Sequence, residues 1–220
     1  MNKNLVVKLL PPPFKNYVNF RRAIINDVPF MKYIRFWLRI NKRVYWPVNK
    51  NSELTHPNNV FVGMNSNIGT RPGCYVQGNG GVYVGNYVIS ASNIGIISGN
   101  HDVYDHTKHV NKEVRIGDYC WLAQGCIILP GVTLGPKTIV GAGAVVTKSF
   151  PEGYCVIAGN PAKKIRDLDK EKCVPSRHKA EYYGYIPKKK FKRFAQRHLK
   201  DNKYYEEIMA SLSVDHERKD

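Results

Sequence analysis

Acidic residues are scarce in this chain of 220 residues: seventeen Asp and Glu stand against thirty-four Lys and Arg, a formal net charge of +17. That imbalance points to anionic partners, which are nucleic acid, an anionic membrane surface or the phosphates of a ligand. No RNA- or DNA-binding motif accompanies the charge, so nucleic acid is not an expected partner. Cysteine is sparse too. The five, Cys74, Cys120, Cys126, Cys155 and Cys173, are odd in number and lack paired metal spacing, which excludes a disulfide framework and a cysteine-built zinc site. They read as small buried thiols of a reducing compartment. An apolar run of twenty residues is missing, and the early LVVKLLPPP is short and cut by prolines, so neither a membrane-spanning helix nor a signal peptide is expected. The expected compartment is the cytoplasm.

What is present is a repeat. From Ile116 to Thr147 an aliphatic residue returns every sixth position: Ile116, Leu122, Ile128, Leu134, Val140, Val146. The residue after each is mostly small (Gly117, Ala123, Gly135, Gly141), and the residue four after each is compact (Cys120, Cys126, Val132, Thr138, Ala144). A period of six is neither helical nor a plain alternating strand. It predicts an all-β solenoid in which each hexapeptide is a short strand plus a corner, one aliphatic side chain pointing into a shared core. Upstream the pattern continues through Val76, Val82, Val84, Val88, Ser90, Ile94 and Ile96.

Ile96 and Ile116 are twenty residues apart, and three hexapeptides would occupy eighteen, so the spacing suggests two inserted residues. A loop leaves the solenoid there, carrying His101, Asp102, Asp105, His106 and His109, the densest set of titratable groups in the repeat region. The Gly-rich QGNGG at 77–81 lacks the Lys-Ser/Thr and the strand-to-helix context of a phosphate loop. It reads as corners that approach something closely, with Asn79 as an acceptor contact.

Three blocks, YVGNYVISASNIGIISGNHD, VRIGDYCWLAQGCIILPGVTLGPKTIVGAGAVVTKSF and AGNPAKKIR, carry a family resemblance. In order and spacing they resemble the hexapeptide-repeat acyltransferases, particularly the galactoside, maltose and nodulation-type O-acetyltransferases and their polysaccharide-modifying relatives, over roughly residues 60 to 166. The resemblance implies a left-handed parallel β-helix, triangular in section with three hexapeptides per coil, and a homotrimer with acetyl-CoA in the groove between subunits. It places His101, in SGNHD, where the family carries its catalytic histidine. An imidazole suits acyl transfer from a thioester to a hydroxyl because it can take the alcohol proton and return it to the departing thiolate. Its second nitrogen needs an acceptor, for which Asp102, Asp105 and a backbone carbonyl are all available.

The resemblance further implies that cofactor contacts come from Trp121, Ala123 and Gln124 in WLAQG and from Ala142, Thr147 and Lys148 in GAGAVVTK. Gln124 stands where relatives often have Ser or Gly, so its side chain must point away if its N–H serves the oxyanion. Lys148, Lys163 and Arg166 match basic positions that hold the cofactor phosphates. Metal is not expected: the γ-class carbonic anhydrases bind zinc on this fold, but through histidines from stacked coils of two subunits rather than one short loop.

The ends are basic and the middle is not. Residues 1–50 carry a net +10, residues 51–150 a net +1 and residues 151–220 a net +6. Three segments follow: an N-terminal helical extension at 1–44, the β-helix at 45–166 and a C-terminal helical tail at 167–220. The spacing of Tyr17, Phe20 and Ile24, then Met31, Ile34 and Leu38, predicts two amphipathic helices. Their favoured role is to cap the first coil, and the alternative is peripheral contact with an anionic membrane, at its inner face, through residues 14–40. In the tail, Pro187 opens a helical run containing Phe191, Phe194, Tyr205, Ile208 and Leu212. The favoured function is acetyl-CoA-dependent O-acetylation of a saccharide hydroxyl in surface polysaccharide synthesis. N-acetylation of a nucleotide-linked amino sugar and a non-catalytic trimeric scaffold are the alternatives.

Overall fold

The structure is a computed structural model that describes residues 17–18, 44–175 and 178–217. Apart from Tyr17 and Val18, the helices expected over 14–40, with their capping or membrane role, lie outside the described residues. Strands β1 (Glu53–Thr55), β2 (Val60–Val62), β3 (Tyr75–Gln77), β4 (Val82–Val84), β5 (Ile89–Ser90) and β6 (Gly95–Ile97) open the series. After a hairpin of β7 (Gly99–His101) and β8 (His109–Asn111), it resumes as β9 (Val114–Ile116), β10 (Trp121–Leu122), β11 (Ile127–Ile128), β12 (Thr133–Leu134), β13 (Ile139–Val140), β14 (Val145–Val146) and β15 (Cys155–Ala158). β16 (Lys163–Asp167) turns back antiparallel on β15 and closes the run.

These strands sort into three parallel sheets, the faces of a solenoid. The first face holds β1, β3, β6, β11 and β14, the second β2, β4, β9 and β12, and the third β5, β10, β13 and β15. The chain visits the faces in rotation. In the regular part, sheet partners are therefore eighteen residues apart, as where Leu122 pairs with Val140 and Ile128 with Val146.

The same register corrects the size of the interruption. Ile96 lies on the first face and Ile116 on the second, a single step apart in the rotation. The gap of twenty residues is therefore one hexapeptide step plus fourteen inserted residues, not three steps plus two. The two counts sum to the same spacing, and only strand pairing distinguishes them.

Each regular step buries two side chains, two residues apart on the inward side of a strand: Val114 with Ile116, Cys120 with Leu122, Cys126 with Ile128, Val132 with Leu134, Thr138 with Val140, Ala144 with Val146. Each fully buried aliphatic side chain contributes about 1.5–3 kcal/mol, which offsets the ordering of short strands that could not stand alone. The corners follow the same period. Tyr119, Gly125, Gly131, Lys137 and Gly143, six residues apart, all have left-handed backbones (φ 60°, 70°, 84°, 57° and 65°). Glycine takes this conformation freely, whereas Tyr119 and Lys137 hold it at a cost of roughly 1–2 kcal/mol each. Stacking is close between the second and third faces, where a Cβ on Gly117 would lie 2.8 Å from the carbonyl carbon of Gly135 one coil away.

The tail packs on its own solenoid, and its helical run is two helices: α1 (Lys188–His198) and α2 (Tyr205–Glu217), preceded by the short antiparallel pair Tyr182–Tyr183 and Ile186–Pro187. Asn202 makes the break. Its Oδ1 accepts from the Tyr204 N–H (2.9 Å) while its Nδ2 donates to the Val60 carbonyl (3.1 Å), tying the interhelix turn to the second face. Phe191 stacks on Tyr183 at 3.9 Å between ring centres and approaches Tyr45 at 5.4 Å; with buried Trp46 these rings cover the first coil. Further along, Arg115 on the second face makes two 3.0 Å hydrogen bonds to Glu207 and lies over the rings of Tyr83 and Tyr204. The Glu207 contact holds its guanidinium well above the usual range. The second face is thus covered by the tail. The third is open, with Ile89 and Trp121 exposed.

Candidate active site

The fourteen-residue insertion forms the hairpin of β7 and β8, rising from the edge between the first and second faces. Its base is closed by main-chain and buried polar contacts. The Lys112 N–H donates to the Ser98 carbonyl (2.9 Å), the Gly99 N–H to Gln77 Oε1 (2.8 Å) and the Gly80 N–H to the buried Ser98 hydroxyl (3.0 Å). From this fixed root His101 and His109 pair across the strands with ring centres 4.5 Å apart, both exposed.

His101 Nδ1 lies 2.6 Å from the carbonyl oxygen of His106. A carbonyl only accepts, so Nδ1 carries the proton and Nε2 presents its lone pair. Of the acceptors left open by the sequence, the backbone carbonyl takes the position. Asp102 and Asp105 are occupied in shaping the loop: Asp102 Oδ1 accepts from the N–H groups of Tyr104 (2.9 Å) and Asp105 (3.0 Å), a local turn that side chains of this length favour. Asp105 Oδ1 accepts from the Thr107 hydroxyl and N–H, and its carboxylate pairs with Lys108 at 3.0 Å. The Thr107 hydroxyl, then Lys108, hold the Asp105 carboxyl below the usual carboxylate range. Both carboxylates thus shape the loop that carries the His106 carbonyl.

Asn79 stands beside this root: a Cβ on Gly99 would lie 3.1 Å from the Asn79 Cβ and against the amide of Asn111. Asn111 was not singled out by the sequence. Its place opposite Gly99 depends on the hairpin register, which no local pattern announces.

The residues expected to hold an acyl donor do not gather at one place on the chain. Ala123, Gln124 and Ala142 stack at the edge between the third and first faces, where the Gly143 N–H donates to the Gln124 carbonyl (2.9 Å) and the Ala123 N–H to the Val140 carbonyl (3.0 Å). Gln124 and Ala142 are exposed, and beside Gly143 a Cβ would meet nothing within 4 Å, so this corner is open to close approach. Trp121 projects from the third face, half exposed. Thr147 and Lys148 lie instead at the edge between the first and second faces, the edge from which the hairpin rises, with Lys148 Nζ 5.7 Å from the centre of the Phe150 ring. Lys163 and Arg166 sit on β16, exposed, opposite Ala158 and Val156. Among the described residues no group of three His, Cys, Asp or Glu side chains is placed to hold a metal ion.

Residues 113–148 match the family described as bacterial transferase hexapeptide (six repeats). WcaF of Escherichia coli K12, provisionally named a colanic acid biosynthesis acetyltransferase, is 31% identical over 133 residues, covering 60% of this chain and 70% of WcaF. The chain belongs to the hexapeptide-repeat acetyltransferase family. Against the galactoside O-acetyltransferase of Lactococcus lactis subsp. lactis IL1403, this hexapeptide-repeat chain is 37% identical over 95 residues, 40% of its own length and 45% of the relative's. It thus spans about half the length of some curated relatives it matches. Among solved structures, the maltose O-acetyltransferase from Clostridium difficile 630 is similar with a TM-score of 0.54 at 26% identity, covering 77% of this chain and 91% of that one.

Proposed function

We propose that this chain transfers an acetyl group from acetyl-CoA to a hydroxyl of a saccharide, with His101 as the general base. The observation that carries the reading is the orientation of His101: Nδ1 is fixed by the His106 carbonyl, which leaves Nε2 as a proton acceptor at the exposed face of a rooted hairpin. Acetyl-CoA supplies the acyl group as a thioester. His101 Nε2 takes the proton of the attacking hydroxyl and gives it up to the departing thiolate, so the imidazole ends each cycle as it began. Asn79 and Asn111, at the hairpin root, offer amides to the acceptor's hydroxyls.

Two features of the chain suit such a donor. The open Gln124–Ala142 corner admits the chain of the cofactor closely, and Lys148, Lys163 and Arg166 offer cations to its phosphates. Their split between two edges of one solenoid supports a left-handed prism assembled as a homotrimer, in which the hairpin edge of one copy meets the small-residue corner of the next. The open third face, with Ile89 and Trp121, and the self-covered second face agree with that arrangement. The names of the relatives point to a sugar acceptor and, for WcaF, to surface polysaccharide synthesis, which would set the enzyme at the inner face of the cell membrane.

Thiol release from acetyl-CoA, followed with a panel of soluble sugars, tests the reading. Release that depends on a hydroxyl acceptor supports O-acetylation; release only with amino sugar nucleotides, or none with any acceptor, overturns it. Light scattering of an active sample should give three times 25.1 kDa, and an active monomer would refute the shared groove.

A further inference from the structure

Helix α1 carries an unusual separation of charge. The stretch 182–200 contains seven Lys and Arg and no Asp or Glu. At about 100° per residue, Lys189, Lys190, Arg193 and Arg197 fall within a stripe roughly 100° wide, diametrically opposite the buried Phe191 and Ala195, and Lys200 follows two residues past the helix end. All five are exposed, and none meets a carboxylate among the described residues. Other cations are paired: Lys188, at the start of α1 but off the stripe, meets Glu181, and Lys108, Arg115, Lys164, Lys172 and Lys203 each pair with an Asp or Glu. Five neighbouring unpaired cations repel one another, and among the described residues no carboxylate pairs with them to offset that cost.

The surroundings narrow the ligand to one class. No large apolar side chain is exposed on α1, and its aromatic residues, Phe191 and Phe194, turn toward Tyr45. The stripe therefore has neither a wedge for the acyl layer nor a platform on which a sugar ring would stack. It lies on the convex side of a helix rather than in a groove. A flat, delocalised anionic surface fits such a face better than a discrete glycan chain does. The position agrees: α1 packs on the first coil, against Tyr45, and the forty-three residues that lead into that coil carry ten Lys and Arg against one acid.

We infer that the α1 stripe docks this protein, by charge and without insertion, on a membrane surface rich in anionic phospholipid headgroups. This docking would hold the solenoid by its first-coil end.

Sedimentation of the full chain with vesicles tests it, using pure phosphatidylcholine and phosphatidylcholine mixed with phosphatidylglycerol. Binding is expected only to the mixed vesicles and should fall as salt rises, since screening acts over about 8–10 Å at ordinary ionic strength. The triple variant Lys190→Gln, Arg193→Gln, Arg197→Gln should lower partitioning on the order of 100-fold, at about fivefold per cation, with thiol release to a soluble sugar unchanged. A charge-matched control, Lys50→Gln, Lys170→Gln, Lys172→Gln, should retain nearly all binding. Equal loss in the control, full binding by the α1 variant, or equal binding to both kinds of vesicle would overturn the inference. So would α1-dependent binding of soluble polygalacturonate without binding to vesicles, which would make an acidic glycan the ligand.

Discussion

The coils from Val114 to Val146 and the hairpin from Gly99 to Asn111 are neighbours built on opposite terms. In the coils every strand buries two side chains and every corner repeats the last one, so position within the hexapeptide decides each residue's role. The hairpin buries almost nothing beyond its root and spends its polar groups on one another: Asp102 on two N–H groups, Asp105 on Thr107 and Lys108, the His106 carbonyl on His101. The scaffold is stable because its residues are interchangeable, and the candidate base is distinctive because it stands where the repeat is interrupted. Stability and chemistry should therefore come apart under mutation.

The largest expected effect is on chemistry alone. His101→Ala should lower turnover by about 100-fold to 10,000-fold, the usual contribution of a general base, while the melting temperature stays put because the ring is exposed. His106→Ala should do far less, since the carbonyl that orients His101 belongs to the main chain and survives. A fall in melting temperature that matches the loss of turnover would break the separation of the two regions.

The next effect belongs to the core. Burial pushes the Cys120 and Cys126 thiols up to about 12, against about 8.5 in an unfolded chain. Between those values the unfolded state releases protons that the folded state keeps. The thiols' stabilising contribution is therefore complete below about pH 8.5 and is lost as pH rises toward about 12, on the order of a few kcal/mol for each thiol. Urea midpoints should drop between pH 8.5 and 10, a window that ends where unfolded tyrosines ionise, at about 10, and where buried Tyr83, pushed up to about 12, would begin to add to the fall. The slope, rather than the midpoint itself, should flatten in the double variant Cys120→Ala, Cys126→Ala. A midpoint independent of pH in that window would mean that the core opens locally to admit hydroxide.

Smaller again is the corner. Gly117→Ala would put a methyl group 2.8 Å from the backbone of Gly135 and Pro136, which cannot swing aside as a flexible side chain would. Overpacking of this kind costs about 1–3 kcal/mol, read as a lower urea midpoint with turnover per folded molecule unchanged. Loss of turnover at full stability would show that the corners participate in the chemistry.

The difference between coil and hairpin also explains what the sequence discloses. Ile116, Leu122, Ile128, Leu134, Val140 and Val146 announce the solenoid because burial acts on each in the same way, and a repeated constraint leaves a period. The hairpin leaves none. The spacing of Ile96 and Ile116 is compatible with either of two insertion lengths, and the decision rests on which sheet each residue joins, a relation between chain segments eighteen or more residues apart. The same holds for the acceptor of His101: two carboxylates stand nearer in sequence, but two successive turns bring the His106 carbonyl into place. The tail's grip on the first coil, from Phe191 to Tyr45 and from Asn202 to Val60, joins residues more than a hundred positions apart and follows from shape, not from local pattern.

The smallest effect concerns the cations, and it sets a limit on the scaffold's share of binding. Lys148, Lys163 and Arg166 are all exposed, so the proposed charge-assisted contact of each with a cofactor phosphate would fall short of the roughly 1.5–3 kcal/mol seen for buried charged groups and lie nearer 1 kcal/mol. Single Ala variants should then weaken acetyl-CoA only a few-fold, with turnover at saturation unchanged. The variant that meets the 3′-phosphate should lose its effect with dephospho-CoA, and added salt should shrink all three differences. Lys164 supplies the internal control: it lies between Lys163 and Arg166 but is held by Asp167 at 2.7 Å, so Lys164→Ala should leave affinity unaltered. If Lys164→Ala weakens binding as much as its neighbours do, the cofactor senses only the summed charge of β16. If none of the four matters, the donor is held by the main chain of the Gln124–Ala142 corner, and the coils rather than their charged edges do the binding.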